Sequence, residues 1–298
     1  VISPADVLLE YLHAQLARGI THVHLDQDTR KQLRTMSATL RAGKKSAASP
    51  PPPVTTAATT ATPAAVVLDE LLSATAAPLA AAQPLIIEGA SRIEKLAALR
   101  QQAESWAAAR ALGSLRDVMV FATGNPEAGI MLIGEAPGYE EEKKLEPFVG
   151  PAGEQLDKIL KAMGLARDAV YISNIVKFRP ATARQTTNNR PPSPEEIAAC
   201  LPLVQAEIAI IRPQCIIALG GSAAAGLLGQ GGNVTSLRGV WHDFAGVPVR
   251  VTYHPSYLLR SSHDIQTKRM VWEDMLAVME LTGMPVSAKQ RGFFLPKQ

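Results

Sequence analysis

Apolar residues crowd into four short stretches of this chain, Ile130–Ile133, Val170–Ile175, Cys215–Leu219 and Val249–Tyr253. Runs of that length and density predict strands buried on both faces. Between them the apolar positions recur three and four apart, which predicts helices over Gly153–Met163, Ser193–Ile211, Ser222–Leu228 and Gln266–Leu281. Ser193-Pro194-Glu195-Glu196 combines an N-cap serine, a first-turn proline and a matching acid. Ser91-Arg92-Ile93-Glu94 is a second capping box and predicts one long helix to about Leu112. Strands alternating with helices predict an α/β domain over 88–298. The expected architecture is a three-layer α/β/α stack around a central, mainly parallel four-stranded sheet. Ligands of such sheets sit beyond the carboxyl ends of the strands.

Upstream the pattern changes. Residues 1–42 read as a small appended unit. A helix is expected from Ser3-Pro4-Ala5-Asp6 through Leu8, Leu9, Leu12 and Leu16 to Gly19, then a short strand over Thr21–Leu25 and a second helix over Asp28–Met36. Residues 43–87 hold Pro50-Pro51-Pro52-Pro53 and an Ala/Thr/Pro tract. That composition cannot bury enough surface to offset its ordering entropy, so a linker is expected, with a brief helix over Leu68–Leu72.

Composition narrows the class. Of 298 residues 47% are hydrophobic and 19% charged, a globular balance, and the net charge of +3 permits a polyanionic partner without requiring one. Two cysteines, Cys200 and Cys215, argue against a disulfide framework and a thiolate zinc site. No signal peptide and no membrane-spanning run is expected, and the default location is cytoplasmic.

The chemistry-bearing residues cluster where the sheet rule points. Gly134-Glu135-Ala136-Pro137-Gly138 follows the first strand, and Pro147-Phe148-Val149-Gly150 precedes a helix. Asn174 ends the second strand, with Lys177 and Arg179 just beyond. His254-Pro255-Ser256-Tyr257-Leu258-Leu259-Arg260 follows the last. Alone, each has a plainer reading: a turn, a core phenylalanine, a strand terminator, a structural histidine. Together, with NNRPPSPEEIAAC and IRPQCIIALG, they stand in one order along the chain. In that order they resemble the uracil-DNA glycosylase superfamily, specifically its family 4, over roughly Val118–Val278.

The resemblance implies a pocket that takes uracil flipped from single- or double-stranded DNA, hydrolyses its glycosidic bond and leaves an abasic site. His254 would hydrogen-bond uracil O2 as negative charge develops there, and Glu135 would hold the attacking water. Gly134 and Ala136 would line the uracil site, Asn174 would read O4 and N3–H, and Phe148 would stack on the ring. Glu141 would crowd the position of thymine's methyl. Lys177, Arg179, Ser256 and Arg260 would hold phosphates, while the loop bearing Tyr257 and Leu258 would enter the duplex. A monomer is expected. Position 136 lacks the aspartate that another branch uses to activate water.

One departure is large. Family 4 ligates a [4Fe–4S] cluster with four cysteines, and the matching positions here fall near Ala107 and Arg110, at Phe178 and at Cys200. One thiolate cannot hold such a cluster, so no cofactor is expected, with Phe178 packing where the cluster would sit. The loss leaves a second reading open, a weak or inactive protein that binds uracil or damaged DNA. A third is a scaffold acting through residues 1–87.

Overall fold

A computed structural model describes residues 85, 87–229, 233–260 and 264–295. The elements expected over 1–42 and the helix at Leu68–Leu72 lie outside the described residues, as does nearly all of the expected linker. Its end does not behave as linker: Leu85 and Ile87 pack against the core, so the folded body begins before residue 88.

The helix expected from Ser91 to Leu112 is two helices, α1 (Arg92–Glu104) and α2 (Ala107–Ala111). The break lets Trp106 turn inward. Its ring is buried and its indole N–H donates to the Ala199 carbonyl at 2.6 Å. Arg110 reaches back to the Glu104 carbonyl at 2.7 Å, satisfying an open acceptor at the end of α1.

In chain order there follow β1 (Leu115–Met119), β2 (Ala122–Gly124), β3 (Ile130–Gly134), α3 (Tyr139–Lys144), α4 (Pro151–Met163), β4 (Tyr171–Asn174), β5 (Phe178–Pro180), α5 (Pro194–Ile211) and β6 (Cys215–Leu219). Then come α6 (Gly221–Leu228), α7 (Val234–Leu237), β7 (Trp241–Phe244), β8 (Val247–Thr252), α8 (Pro255–Arg260), α9 (Ile265–Leu281) and α10 (Ala288–Arg291). A six-stranded sheet runs β2-β4-β3-β6-β8-β7. Its inner strands β4, β3, β6 and β8 are parallel and are the four expected from the sequence. The edges β2 and β7 are antiparallel additions, and β1 pairs with β5 in a separate two-stranded ribbon.

Every residue of β3, β4 and β6 is buried. Successive side chains point to opposite faces, which creates two cores. Met131 and Ile133 join Leu99, Leu203 and Ile211 on one face, and Ile130 and Leu132 join Leu156, Leu160 and Trp272 on the other. Cys215 belongs to the second core, and burial pushes its thiol up to about 12. It is an inert packing residue.

The strand register brings the carboxyl ends level. Gly134 lies opposite Asn174, and Leu219 opposite Thr252. The residues just beyond these ends therefore meet at one edge of the sheet. Among the described residues no helix is long and apolar enough to cross a membrane.

Candidate active site

At that edge lies a cavity of about 190 Å³. It is lined by Glu135, Ala136, Pro137, Gly138, Glu141, Phe148, Ala152, Asn174, Asn189, Arg190, His254 and Ser256. A larger groove of about 490 Å³, lined by Ile159, Leu258, Leu259 and Trp272 among others, carries no carboxylate or imidazole. The smaller cavity holds the convergent polar groups, and its size suits one base ring.

His254 is defined by its neighbour. The Ser256 backbone N–H donates to Nδ1 at 3.2 Å, and Ser256 Oγ lies 2.8 Å from the same nitrogen. A backbone N–H can only donate, so Nδ1 accepts and the neutral ring carries its proton on Nε2. Burial, helped by the positive charge of Arg260, lowers its pKa to about 4. The imidazole is therefore neutral at pH 7 with a free N–H to offer.

Opposite it, Phe148 lies 5.6 Å away, ring centroid to ring centroid. Its backbone is left-handed, φ 56°, a state that costs a non-glycine residue about 1–3 kcal/mol. Gly134 explains how the ring fits. A Cβ there would stand 2.4 Å from both Phe148 Cζ and Asn174 Oδ1. Gly134 thus serves the site by lacking a side chain and does not line the cavity itself. Asn174 is buried, and its amide makes no hydrogen bond to another described residue, so it faces the cavity with donor and acceptor open.

Glu141 is pinned. It accepts from Gly138 N at 3.1 Å, Val149 N at 3.1 Å and Gly150 N at 2.9 Å, tying the loop after β3 to the loop carrying Phe148. Glu135 is held through one oxygen only: Ser222, in the first turn of α6, donates to Oε2 at 2.5 Å. Its other oxygen is available to a water. Ala136 offers only a methyl.

Two basic residues expected to hold phosphates do not. Lys177 is fully buried, bonded to Ser173 and paired with Glu207 at 2.5 Å. Glu207 also accepts from Tyr171 and Ser173, and Lys177 supplies the charge that a buried carboxylate demands. Arg179 is likewise buried. It pairs with Glu142 at 3.0 Å, donates to Asn189 Oδ1 at 2.9 Å and donates to the carbonyls of Thr186 and Asn188. It staples the 181–192 loop to α3.

The segment after His254 is a helix, α8, which presents alternate residues differently. Tyr257 and Leu259 are exposed and Leu258 is buried, so Leu258 is removed from the residues that could enter a duplex. Tyr257 stacks on Tyr253 at 5.0 Å, which stiffens it. Ser256 is engaged with His254, and Arg260 is exposed at the end of α8.

Asn189, Arg190 and Ala152 line the pocket without being singled out for it by the sequence reading, and Asn189 brings a polar group to it. Its polar loop reads as solvated chain. Its Oδ1 is taken by Arg179, and its Nδ2 would lie 2.9 Å from a Cβ at Gly138, so a donor stands at the pocket mouth.

The positions matching cluster ligands do not form a thiolate set. Phe178 is buried beside Trp106, Ala103 and Cys200, with the Arg110 guanidinium 4.7 Å above its ring. Burial pushes the Cys200 thiol up to about 11, the reverse of what a metal-binding thiolate needs.

The family model described as the uracil DNA glycosylase superfamily matches residues 121–276. A type-4 uracil-DNA glycosylase of Thermotoga maritima is 43% identical over 162 residues, 54% of this chain and 81% of the relative. The type-4 uracil-DNA glycosylases of Sulfurisphaera tokodaii and Pyrobaculum aerophilum are 37% and 40% identical, over 58% and 46% of this chain and 79% and 71% of their own lengths. A family model spanning half the chain, relatives matched over most of their length, and this site at the strand ends place the chain in the uracil-DNA glycosylase superfamily.

Proposed function

We propose that this chain is a DNA glycosylase that flips uracil out of DNA and hydrolyses its N-glycosidic bond, leaving an abasic site for base excision repair. One observation carries the reading: a neutral His254 with its proton on Nε2 and an open, buried Asn174 amide converge on a cavity of base size. The type-4 uracil-DNA glycosylases among its relatives support the same reading.

The chemistry follows from charge. As the bond breaks, the sugar becomes cation-like and uracil gathers negative charge, which preorganised donors stabilise without reorganisation. Nε2–H of His254 donates to O2. Asn174 donates to O4 and accepts from N3–H. Phe148 stacks on the ring. Glu135, oriented by Ser222, holds the water with its free oxygen and faces the developing positive charge. With alanine at 136, water placement rests on Glu135. Glu141 cannot yield to a C5 methyl, because three backbone N–H groups fix its carboxylate.

On the DNA side, Arg260 holds a phosphate, and Tyr257 with Leu259 fills the space left by the flipped base. The reading includes a cytoplasmic monomer acting on single- or double-stranded uracil-DNA. It includes no cluster and no diffusible cofactor, since Phe178 and Arg110 occupy ligand positions.

The test is to incubate the protein with uracil-containing single- and double-stranded oligonucleotides, cleave abasic sites with alkali, and compare Asn174→Ala. Strand cleavage that the variant lacks supports the enzyme. Retarded mobility without cleavage would transfer the site to a binding protein, and neither would remove DNA from the reading.

A further inference from the structure

Phe148 is held in its left-handed backbone state by a residue that does not touch the cavity. Arg167 lies in the short 3-10 turn Arg167–Ala169 ahead of β4 and is absent from the pocket lining. Its guanidinium donates to the Pro147 carbonyl at 2.8 Å through Nη2 and to the Phe148 carbonyl at 3.0 Å through Nη1. Asp157 on α4, at 2.9 Å, and Glu146, at 3.5 Å, orient it from the other side.

The rest of the peptide is fixed too. A Cβ on Gly153 would fall 1.8 Å from the Phe148 oxygen, so that carbonyl packs directly on the first turns of α4. The next N–H, on Val149, is held by Glu141 at 3.1 Å. The peptide after Phe148 is thus gripped at its oxygen by Arg167 and at its nitrogen by Glu141. Rotating Phe148 back to a negative φ would break both grips and swing the ring away from Gly134 and His254.

We propose that Arg167 is a positioning residue for base recognition: its forked contact with the Pro147 and Phe148 carbonyls holds the Phe148 ring parallel to the bound uracil. The inference rests on the glycosylase reading of the site. Arginine suits the task because its planar fork reaches two carbonyls and a carboxylate at once, which a lysine ammonium cannot do in the same geometry.

Product inhibition by free uracil reads stacking without the DNA contacts. In Arg167→Ala the inhibition constant for uracil and KM should each rise about tenfold, the scale of a slightly misplaced recognition group, with a smaller change in kcat. Methylguanidinium should restore both in the alanine variant. Inhibition within about twofold of the native protein, the scatter of a neutral surface change, overturns the proposal. So does a loss that methylguanidinium leaves untouched, because that would be generic destabilisation.

Should Arg167→Ala not fold, Arg167→Lys takes its place. It should show an intermediate rise in the uracil inhibition constant, and unchanged inhibition again overturns the proposal. A readout independent of activity separates this inference from the reading it rests on. Protein labelled with 4-fluorophenylalanine should show the Phe148 fluorine resonance, assigned with Phe148→Leu, shifting in either Arg167 variant. An unmoved resonance overturns the clamp even if the native protein releases no uracil.

Discussion

Ser256 decides which nitrogen of His254 carries the proton, and burial decides whether the ring is charged. The His254 pKa is lowered from 6.5 to about 4, so excision should stay level as pH falls from 8 through 6.5 and decline only near 4 to 5. Stability responds with a definite sign. Between the two values the unfolded chain takes up a proton that the folded chain refuses. The stabilisation tied to the neutral ring is complete above pH 6.5 and is lost as pH falls toward 4. Urea unfolding at pH 7 and pH 5 should therefore show a loss in the native protein that His254→Asn partly escapes. Equal losses would refute the neutral ring. A second residue-scale expectation concerns Gly134. Its alanine variant would press on Phe148 and Asn174 together, and kcat/KM should fall about 100-fold. Glu135, Asn174 and His254 were legible because each sits at or just after a strand end, and Phe148 because its turn leads into α4. Lys177 and Arg179 were misread because their partners lie far along the chain. Glu207, a lone carboxylate inside the apolar stretch Leu203–Ile211, was the visible sign that a buried cation was needed.

At the scale of elements, α8 separates two jobs within one turn. Leu258 packs inward, and Leu258→Ala should cost about 2–5 kcal/mol of stability, as for other buried leucines. Tyr257 faces out, so Tyr257→Ala should leave stability and single-strand excision nearly unchanged while lowering excision from duplex. Equal effects on both substrates would remove the wedge role. Helices α4, α5, α6 and α9 and the central strands were legible because each carries a sustained apolar pattern, whereas the short α3, α7, α8 and α10 were not expected. The break at Ser105-Trp106 was not, since local pattern favours continuing the helix and only the distant Ala199 carbonyl draws Trp106 inward. Strands β1, β2 and β7 are short and partly exposed, and β5, though buried, is only the three residues Phe178–Pro180 with an arginine at its centre, so none carries a run dense enough to mark it.

At the largest scale, α2, the ribbon and α5 meet around the buried ring of Phe178. Trp106, Phe178 and Cys200 share one core, and Arg110 closes it from above. Protein purified without air should contain no stoichiometric iron or sulfide, and Phe178→Ala should cost about 3–5 kcal/mol. Stoichiometric iron would overturn the packing explanation. The layer order and the four parallel strands were readable because alternation of strands and helices leaves few topologies. The start of the folded body was placed late because Leu85 and Ile87 end a tract whose composition resembles linker.

Counting free uracil released from uracil-containing DNA under single-turnover conditions tests the central claim most directly, with His254→Ala alongside. The native protein should release one uracil per site and leave an abasic strand, while the variant is slower by about 100- to 1000-fold, the loss typical of one preorganised donor. No uracil from the native protein, or equal rates from both, would contradict a glycosylase built on the neutral His254 donor.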